Sequence, residues 1–281
     1  MLKFGDFPSS YKKMATSKVA ILPIAYDETS TWKKGADKGP LAILEASQAL
    51  EWFDRETSSE PYKIGIHTYP IQKDFISPKS MVNYIKNKTK KIIDKQQFYI
   101  GIGGEHSVSI GAIYAFAEEY KDLSVLQIDA HADLRDKYLG SKYNHACVMR
   151  RAKEVADIVQ VGIRSFDKCE YDTMDKNKVF FAEDIYNSIS WIPKVIDKLS
   201  DNVFITIDLD GFDPSILPAT GTPEPGGLMW YQTLQLLKEV FAKKNVVGCD
   251  VVELCPNEYS ASSDFFAAKL IYKMIGYKYF L

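Results

Sequence analysis

The segment Ser124 to Asp133, SVLQIDAHAD, places three metal-ligating side chains at alternate positions after an apolar run of strand type. On an extended backbone, Asp129, His131 and Asp133 would point to one face, because successive strand residues alternate between faces. Ligands two positions apart then lie roughly 6 to 7 Å apart, which suits contacts with one or two cations. A lone Asp-x-His motif also occurs by chance at solvated strand ends, so metal binding requires partners elsewhere in the chain.

Two further strand ends supply partners of the same chemistry. The run FYIGIGGEHS leads into a paired-glycine turn, Gly103-Gly104, whose tight backbone path places His106 at the carboxyl end of a strand. The run NVFITIDLD carries Asp208 and Asp210 two residues apart, on one face of an extended strand. Burial of two carboxylates there is costly unless a cation or hydrogen-bond donors neutralise them. The pairing therefore favours a metal.

Two single residues have weaker claims to the same crevice. Glu253 ends the last predicted strand, VVGCDVVEL, and its carboxylate suits a cationic substrate such as a guanidinium, which it can bind through two parallel hydrogen bonds. His145, in KYNHAC, stands at a predicted helix start, where capping or packing is the ordinary role. Asp213, before Pro214, suits capping of a turn at least as well as ligation. We assign His67 a structural role, because its motif contains no carboxylate partner.

The glycine-rich turn also raises a dinucleotide site as an alternative. The run G-I-G-G-E-H does not complete G-x-G-x-x-G, and no acidic residue closes a second strand about 20 residues further on. Asp129, which stands in that region, instead begins the metal motif described above. We therefore reject the dinucleotide interpretation.

Apolar runs and helical periodicity alternate along the chain and would position these residues. Strands are predicted at 19–24, 98–102, 123–128, 158–163, 203–207 and 246–254. Helices are predicted at 40–53, 79–95, 107–120, 144–153, 192–199, 230–242 and 262–274. The alternation predicts an α/β fold, with βαβ units around a mainly parallel sheet and helices on both faces. Ligands of such sheets bind outside the carboxyl ends of the strands, where the candidate residues lie.

The chain shows no internal repeat, low-complexity tract or linker, so residues 1–281 are predicted to form one domain. The loop 27–35 follows the first predicted strand and would overhang the crevice. We interpret most of this loop as an ordinary surface connection.

Composition limits the class of protein and its partners. The 281 residues are 46% hydrophobic and 26% charged, with a net charge of −2, which is typical of a globular protein. A nucleic-acid partner is not expected, because the chain lacks a basic excess. The sequence has neither the apolar segment of a signal peptide nor a run approaching a membrane span, so we predict a cytoplasmic protein without a membrane partner. The four cysteines are expected to pack as small buried side chains.

The motifs GGEHS, DAHAD, IDLDGFDPSILPATGTPEPGG and DVVEL occur in the order that makes the chain resemble the ureohydrolase (arginase/agmatinase) family. The segment LPIAYDETS…GADKGP fits the same pattern, so the resemblance runs from about residue 19 to the C-terminus, and residues 1–18 form an N-terminal extension. The resemblance implies a three-layer α/β/α sandwich, which agrees with the alternation of strands and helices.

The resemblance also implies two Mn²⁺ ions per subunit. One ion would be bound by His106, Asp129, Asp133 and Asp208, and the other by His131, Asp129, Asp208 and Asp210, with Asp129 and Asp208 bridging. Such an oxygen-rich set suits Mn²⁺ better than the thiolate-rich sets of structural zinc. A hydroxide that bridges the ions would attack a guanidinium carbon. Glu253 and His145 would bind the substrate, Asp133 would orient the hydroxide, and His145 would move protons near the leaving amine.

The resemblance narrows the substrate to small guanidino compounds. The segment after Asp133 lacks the Ser-Gly-Asn type of sequence by which arginases hold the α-amino and α-carboxylate groups, and its HACVMRR run resembles the agmatinase-like branch. Agmatine, which would give putrescine and urea, is therefore the expected substrate. The alternatives are aminopropylagmatine, guanidinobutyrate, arginine and formiminoglutamate.

The chain differs from the family pattern at two positions, and one alternative class of protein is considered. Glu105 stands where many family members have Asp, and Asn144 stands where Ser is frequent in the agmatinase-like branch. A non-catalytic metal-binding or regulatory homologue is the alternative from outside the enzymes. The resemblance further implies a homo-oligomer, either a trimer or a hexamer.

Overall fold

The computed structural model describes residues 2–281 and contains an eight-stranded sheet in which neighbouring strands run parallel. The strands are β1 (Val19–Pro23), β2 (Ile66–Thr68), β3 (Phe98–Ile102), β4 (Leu123–Ile128), β5 (Asp157–Ile163), β6 (Val179–Phe181), β7 (Asn202–Asp208) and β8 (Asn245–Val252). Their spatial order is β2-β1-β3-β8-β7-β4-β5-β6. This order places β3, β8, β7 and β4 at the centre of the sheet.

The described part of the chain contains nine α-helices, of which eight lie between strands and the last follows β8. They are α1 (Gly39–Ala46), α2 (Pro78–Ile93), α3 (Ser109–Glu119), α4 (Val148–Ala152), α5 (Lys168–Thr173), α6 (Ala182–Ile185), α7 (Ile192–Lys198), α8 (Trp230–Lys243) and α9 (Ser262–Phe280). In none of them does the combination of length and hydropathy reach what a membrane crossing requires.

Two apolar cores, one on each face of the sheet, make the fold a three-layer α/β/α sandwich and confirm the predicted class. Helices α1, α7, α8 and α9 pack on one face, where they bury β1 residues Val19 and Ile21. Helices α2, α3 and α4 pack on the other face, against Ala20 and Leu22 of the same strand. Because strand side chains alternate between faces, a strand buried on both sides is apolar throughout.

The six predicted strands are all present, and the two that the sequence did not reveal lie at the sheet edges. β2 and β6 contain three residues each. Runs this short carry too few apolar positions to show a period of two. Hydrogen bonds to one neighbouring strand hold each of them in the sheet: β2 pairs with β1, and β6 pairs with β5.

The predicted helix 40–53 ends early, and side-chain hydrogen bonds of Ser47 and Gln48 accompany its end. Helix α1 stops at Ala46, where the Ser47 hydroxyl donates to the Leu44 carbonyl oxygen and accepts from the Gly5 backbone N–H at 2.8 Å. The Gln48 side chain also donates to the Lys3 carbonyl oxygen at 2.7 Å. The Leu44 carbonyl oxygen thus accepts from the Ser47 and Gln48 side chains, and the chain continues as a 3₁₀ turn, Ser47–Ala49.

The N-terminal segment packs against the same core as α1 and α9. Phe4 and Phe7 are buried, and the Phe7 ring stacks on Tyr62 with ring centroids 4.9 Å apart. The division of the chain into one domain, 1–281, with an extension at 1–18, stays a prediction.

Candidate metal and substrate site

The carboxyl ends of the central strands and the loops beside them bring together the eight residues predicted to bind metal or substrate. His106 follows β3, Glu253 follows β8, Asp208 ends β7, and Asp129 follows β4. Adjacent strands are about 4.8 Å apart, so side chains leaving four neighbouring ends reach a common crevice. Asp129 is fully buried there. The other seven residues line one cavity of about 530 Å³; they are His106, His131, Asp133, His145, Asp208, Asp210 and Glu253.

His106 lies at the centre of a shell of carboxylates. Its Nδ1 atom is 3.1 Å from Asp129 Oδ2, 2.9 Å from Asp133 Oδ2 and 3.3 Å from Asp208 Oδ2. This atom is buried, and no group within residues 2–281 forms a well-directed hydrogen bond with it. A buried nitrogen without such a partner, surrounded by three acidic oxygens, fits the environment of a bound cation.

The opposite ring nitrogen of His106 fixes its tautomer. Nε2 lies 2.9 Å from Oγ1 of Thr206, and that hydroxyl donates to Ser109 Oγ at 3.3 Å. Because a hydroxyl has one proton to donate, Thr206 accepts from Nε2–H, and Nδ1 of the neutral ring then carries a lone pair toward the carboxylates. Metal-binding histidines use this arrangement, in which one nitrogen is anchored and the other binds the ion.

A second group of donors shares Asp129 with the first. His131 Nδ1 lies 2.9 Å from Asp210 Oδ2 and 3.7 Å from Asp129 Oδ1. Donor atoms of His106, Asp129 and Asp208 lie within 4.8 Å of one another, as do those of Asp129, His131 and Asp210. The residues therefore fit two cations on either side of the Asp129 carboxylate, as its two oxygens face different histidines.

The acidic cluster has an electrostatic need for positive charge. Burial raises the pKa of Asp133 to about 7, and the neighbouring charge of Asp129 adds to the increase. Burial and the charges of Asp210 and Asp129 hold the pKa of Asp208 well above its usual range. For Glu253 burial again raises the pKa, followed by the charges of Asp208 and Glu105. Cations bound among these groups would offset both the lost hydration and the repulsion.

These shifts predict how the stability of the metal-free protein depends on pH. A carboxyl whose pKa is raised by folding binds its proton more tightly in the folded state, so its ionisation above pH 4 destabilises that state. For His106, burial lowers the pKa, but the three nearby carboxylates of Asp129, Asp133 and Asp208 raise it by more, so the stability gained from a protonated ring is lost as pH rises. Both effects have the same sign between pH 6 and pH 8.5.

We therefore expect the metal-free protein to melt at least about 4 °C lower at pH 8.5 than at pH 6, since roughly 1 kcal/mol shifts Tm by about 2–4 °C. With saturating Mn²⁺ the decrease should vanish, because the cations stabilise the ionised carboxylates. Thermal melts across this pH range, with and without metal, test the expectation. A flat profile without metal, or the same decrease with and without it, would contradict this view of the cluster.

The backbone corrects the extended geometry predicted for Asp129, His131 and Asp133. β4 ends at Ile128, and Asp133 has a left-handed φ of 54°, so the three residues do not lie on a continuous strand. Their side chains still converge, but through a turn that the alternation of a strand does not describe. A non-glycine residue at positive φ costs of order 1–3 kcal/mol and is concentrated at functional sites. Glu253 has a similar φ of 65°.

The predicted pairing of Asp208 and Asp210 on one strand face also requires correction. β7 ends at Asp208, and a single 3₁₀ turn, Leu209–Gly211, carries Asp210. Within this turn Asp208 Oδ1 accepts from the Asp210 backbone N–H at 2.9 Å. The two carboxylates reach the same cavity from a strand end and a turn. Their convergence depends on this turn rather than on a period of two.

Glu253 and His145 face the cavity beside the acidic cluster. Glu253 Oε1 accepts from the His106 backbone N–H at 2.7 Å. His145 starts a short 3₁₀ turn whose N-cap is Asn144, so the alternative of a capping role is wrong for His145. Burial lowers the pKa of His145 to about 4, and the positive charges of His131 and His106 contribute. Its imidazole is therefore neutral at pH 7, rather than titrating near neutrality as an unperturbed histidine would.

Asp213 and His67 have structural roles away from the acidic cluster. Asp213 accepts from the backbone N–H groups of Ser215, Gly226 and Gly227, at 2.9 to 3.1 Å, which is the turn-capping role considered from sequence. His67 lies on β2, at the sheet edge, with Nδ1 3.3 Å from the Lys12 carbonyl oxygen.

The sequence interpretation missed residues that support the site from outside the motifs. Arg164 follows β5 and donates to the backbone carbonyl oxygens of Asp210 at 2.7 Å and Glu224 at 2.8 Å, which fixes the turn that carries Asp210. Its place just after a strand end was a usable signal. Thr29 contacts His145 and Glu105 from the loop 27–35, most of which the sequence indicates to be an ordinary surface connection. A lone threonine in a loop gives no such signal.

Comparison with known proteins agrees with this geometry. The description of the arginase family matches residues 17–276. The N(1)-aminopropylagmatine ureohydrolase of Synechocystis sp. is 39% identical, with 94% of this chain and 90% of the relative covered. That of Thermus thermophilus is 36% identical, covering 99% and 94%.

A solved structure extends the comparison to three dimensions. The agmatine ureohydrolase of Thermoplasma volcanium superimposes with a TM-score of 0.87 at 32% identity, covering 94% of this chain and 90% of the other. The family match, the relatives and the shared fold together show that the chain belongs to the arginase family of ureohydrolases.

Proposed function

We propose that the protein hydrolyses the guanidinium group of a linear guanidino amine to urea and an amine, with two Mn²⁺ ions as cofactors. One observation carries the proposal. The unpartnered Nδ1 of His106 lies within 3.3 Å of three carboxylates, in a cavity that Glu253 and His145 also line. The site thus combines residues suited to cations with residues suited to a guanidinium and a proton transfer.

The donor chemistry supports two hard cations. The residues that would hold the ions are His106, Asp129, Asp133, His131, Asp208 and Asp210. Four carboxylates and two imidazoles without a thiolate form a set that suits Mn²⁺. When bound, such a pair of ions lowers the pKa of a coordinated water toward neutrality and so supplies a nucleophile.

Glu253 is suited to bind the guanidinium. Its Oε1 is held by the His106 backbone N–H, which fixes the carboxylate relative to the ligand histidine. A carboxylate and a guanidinium pair through two parallel charge-assisted hydrogen bonds. Burial, followed by the charge of Asp208, raises the pKa of Glu253, so a cationic partner would stabilise its ionised form. A bound guanidinium would supply that charge and orient the carbon toward the acidic cluster.

Asp133 and His145 are suited to handle the protons of the proposed reaction. Asp133 lies 2.9 Å from His106 Nδ1, within the acidic cluster, and its carboxylate would accept a hydrogen bond from the attacking water. His145 is neutral, so it can accept a proton and deliver it to the departing nitrogen. An alkylamine leaves readily only when protonated, which is why the proton must reach that nitrogen.

The substrate is proposed to carry a distal amine. The relatives from Synechocystis and Thermus are named for N(1)-aminopropylagmatine, which has further amines beyond the guanidinium-bearing chain. Asp167 also lines the cavity; its side chain is 50% exposed and lies 3.6 Å from Arg135 Nη2, so a distal amine would share this carboxylate with the Arg135 guanidinium. Agmatine itself is the second candidate, favoured by the structural match to an agmatine ureohydrolase.

A substrate panel tests the proposal. Protein loaded with Mn²⁺ would be assayed with N(1)-aminopropylagmatine, agmatine, guanidinobutyrate, arginine and formiminoglutamate, with urea or formamide as the product detected. We expect urea from the first two, with kcat/KM at least about tenfold higher than for arginine, because loss of one charge-assisted contact costs about 1.5–3 kcal/mol. Absence of urea from both amines, while another compound is hydrolysed, would exclude the proposed substrate class.

The cellular setting follows from the same resemblance. We infer a cytoplasmic enzyme of polyamine biosynthesis that assembles as a trimer or hexamer. Light scattering of the purified protein gives the mass that checks the assembly, and a monomeric mass would exclude it.

A further inference from the structure

The hydroxyl of Thr29 occupies a junction between three groups beside the cavity. Its Oγ1 accepts from the backbone N–H of His145 at 3.0 Å and lies 3.2 Å from His145 Nδ1. The same hydroxyl donates to Oε2 of Glu105. Thr29 comes from the loop after β1, whereas His145 comes from the segment between β4 and β5. A single hydroxyl thus connects two separate loops at the edge of the site.

Glu105 is fixed in place and accepts the hydrogen bond that the Thr29 hydroxyl donates. It is fully buried, and its other oxygen, Oε1, accepts from the hydroxyl of Ser107. Oε2 also lies 3.6 Å from His145 Nδ1, too long for a direct hydrogen bond but close enough for electrostatic attraction. Each carboxylate oxygen thus accepts from one hydroxyl, which is the arrangement of an ionised carboxylate, and the Thr29 hydroxyl proton is directed at Glu105.

Hydrogen-bond accounting then determines the protonation of His145. A threonine hydroxyl has one donor and two acceptor positions. In Thr29 the donor serves Glu105, and one acceptor position serves the His145 backbone N–H. The remaining acceptor position faces His145 Nδ1, so Nδ1 must carry a proton. In the neutral ring Nε2 then bears the lone pair, and it is the nitrogen left for the cavity.

We propose that Thr29, held by Glu105, is a positioning residue that keeps His145 in the Nδ1–H tautomer with Nε2 available to the substrate. This inference rests on the proposed function, since it concerns the proton transfer assigned to His145. In the Nδ1–H tautomer, Nε2 can accept a proton and return it to the departing amine nitrogen. In the opposite tautomer, Nε2 already carries the proton and cannot accept one. It could donate that proton only if Nδ1, which faces Thr29, were protonated as well.

Paired substitutions at Thr29 provide the kinetic test. Thr29→Val keeps the shape and removes the hydroxyl, so we expect kcat to fall about 10- to 100-fold with KM changed less than about threefold, as for loss of a group that orients a catalytic histidine. Thr29→Ser restores the hydroxyl and should recover most of the loss. The amine of an aryl guanidine leaves with less need of a proton. With this substrate, the decrease in kcat of the valine variant should therefore be smaller. Equal kcat in the valine variant and wild type would overturn the inference.

A spectroscopic readout keeps the test independent of activity. Long-range proton–nitrogen NMR of the magnesium-loaded full chain distinguishes the two tautomers, and the chain has only 4 histidines, so a His145→Ala variant assigns the signal. We expect the Nδ1–H pattern for His145 in wild type and its loss in Thr29→Val. The Nε2–H pattern in wild type, or the same pattern in both proteins, would overturn the inference. A wild-type enzyme that releases no urea would instead count against the proposed function alone.

Discussion

Replacement of Asp129 by asparagine should lower urea formation at least about 10³-fold, because about 4 kcal/mol of transition-state stabilisation is lost when a shared ligand of two cations is removed. Asp129 Oδ2 accepts from Gln127 Nε2 and Oδ1 accepts from the His131 backbone N–H, both at 2.6 Å. The asparagine amide nitrogen would therefore face a donor in either orientation. Elemental analysis should show fewer bound ions than the two expected for wild type.

A matched control is available at the amino end of β7, the strand beside β4 in the sheet. Asp201 directly precedes β7, at the end of the strand opposite to Asp208, and it is exposed. Asp201→Asn changes the same chemical group and should leave both urea formation and metal content unchanged. An Asp129→Asn protein with wild-type turnover and full metal content would show that Asp129 is not a shared ligand.

Replacement of Glu253 by glutamine should lower kcat/KM by about 10²- to 10⁴-fold, because two charge-assisted hydrogen bonds contribute about 1.5–3 kcal/mol each and 1.4 kcal/mol corresponds to a factor of ten. The glutamine carbonyl oxygen can still accept from the His106 backbone N–H, so the loop should keep its conformation. Metal content should therefore stay at two ions. Steady-state kinetics and elemental analysis of the same preparation separate loss of substrate binding from loss of metal.

Glu258→Gln is the control for Glu253, because Glu258 is exposed and follows in the same segment of the chain. It should retain wild-type kcat/KM. If Glu253→Gln also kept wild-type kcat/KM for a guanidino amine, the carboxylate would not be the group that binds the guanidinium.

The parts of the fold that the sequence predicted are those with long apolar signals. The central strands β3 and β4 have the bounds expected from their apolar runs, since strands buried on both faces cannot contain many polar residues. The C-terminal helix was predicted to end at residue 274 but continues to Phe280. Buried tyrosines such as Tyr277 extend it, because their rings pack while their hydroxyls find partners, here Glu56.

The candidate site was predicted in its residue types, but its geometry was not. Ligands bind at the carboxyl ends of parallel strands, which predicts that His106 and Asp208 lie in one crevice. In the structure His106 Nδ1 is 3.3 Å from Asp208 Oδ2. The positive φ of Asp133 and the contacts of Thr29 arise from tertiary packing. A period of two along the chain carries no information about either.

Anomalous diffraction at the manganese absorption edge, from crystals grown with Mn²⁺, tests the central claim most directly. The claim is that six side chains from three strand ends hold two cations beside Glu253. We expect two peaks per chain, one near His106 Nδ1 and one near His131 Nδ1, each within about 2.5 Å of its ligand atoms. Protein that forms urea but shows no peak between these residues, or shows its peaks elsewhere, would contradict the account.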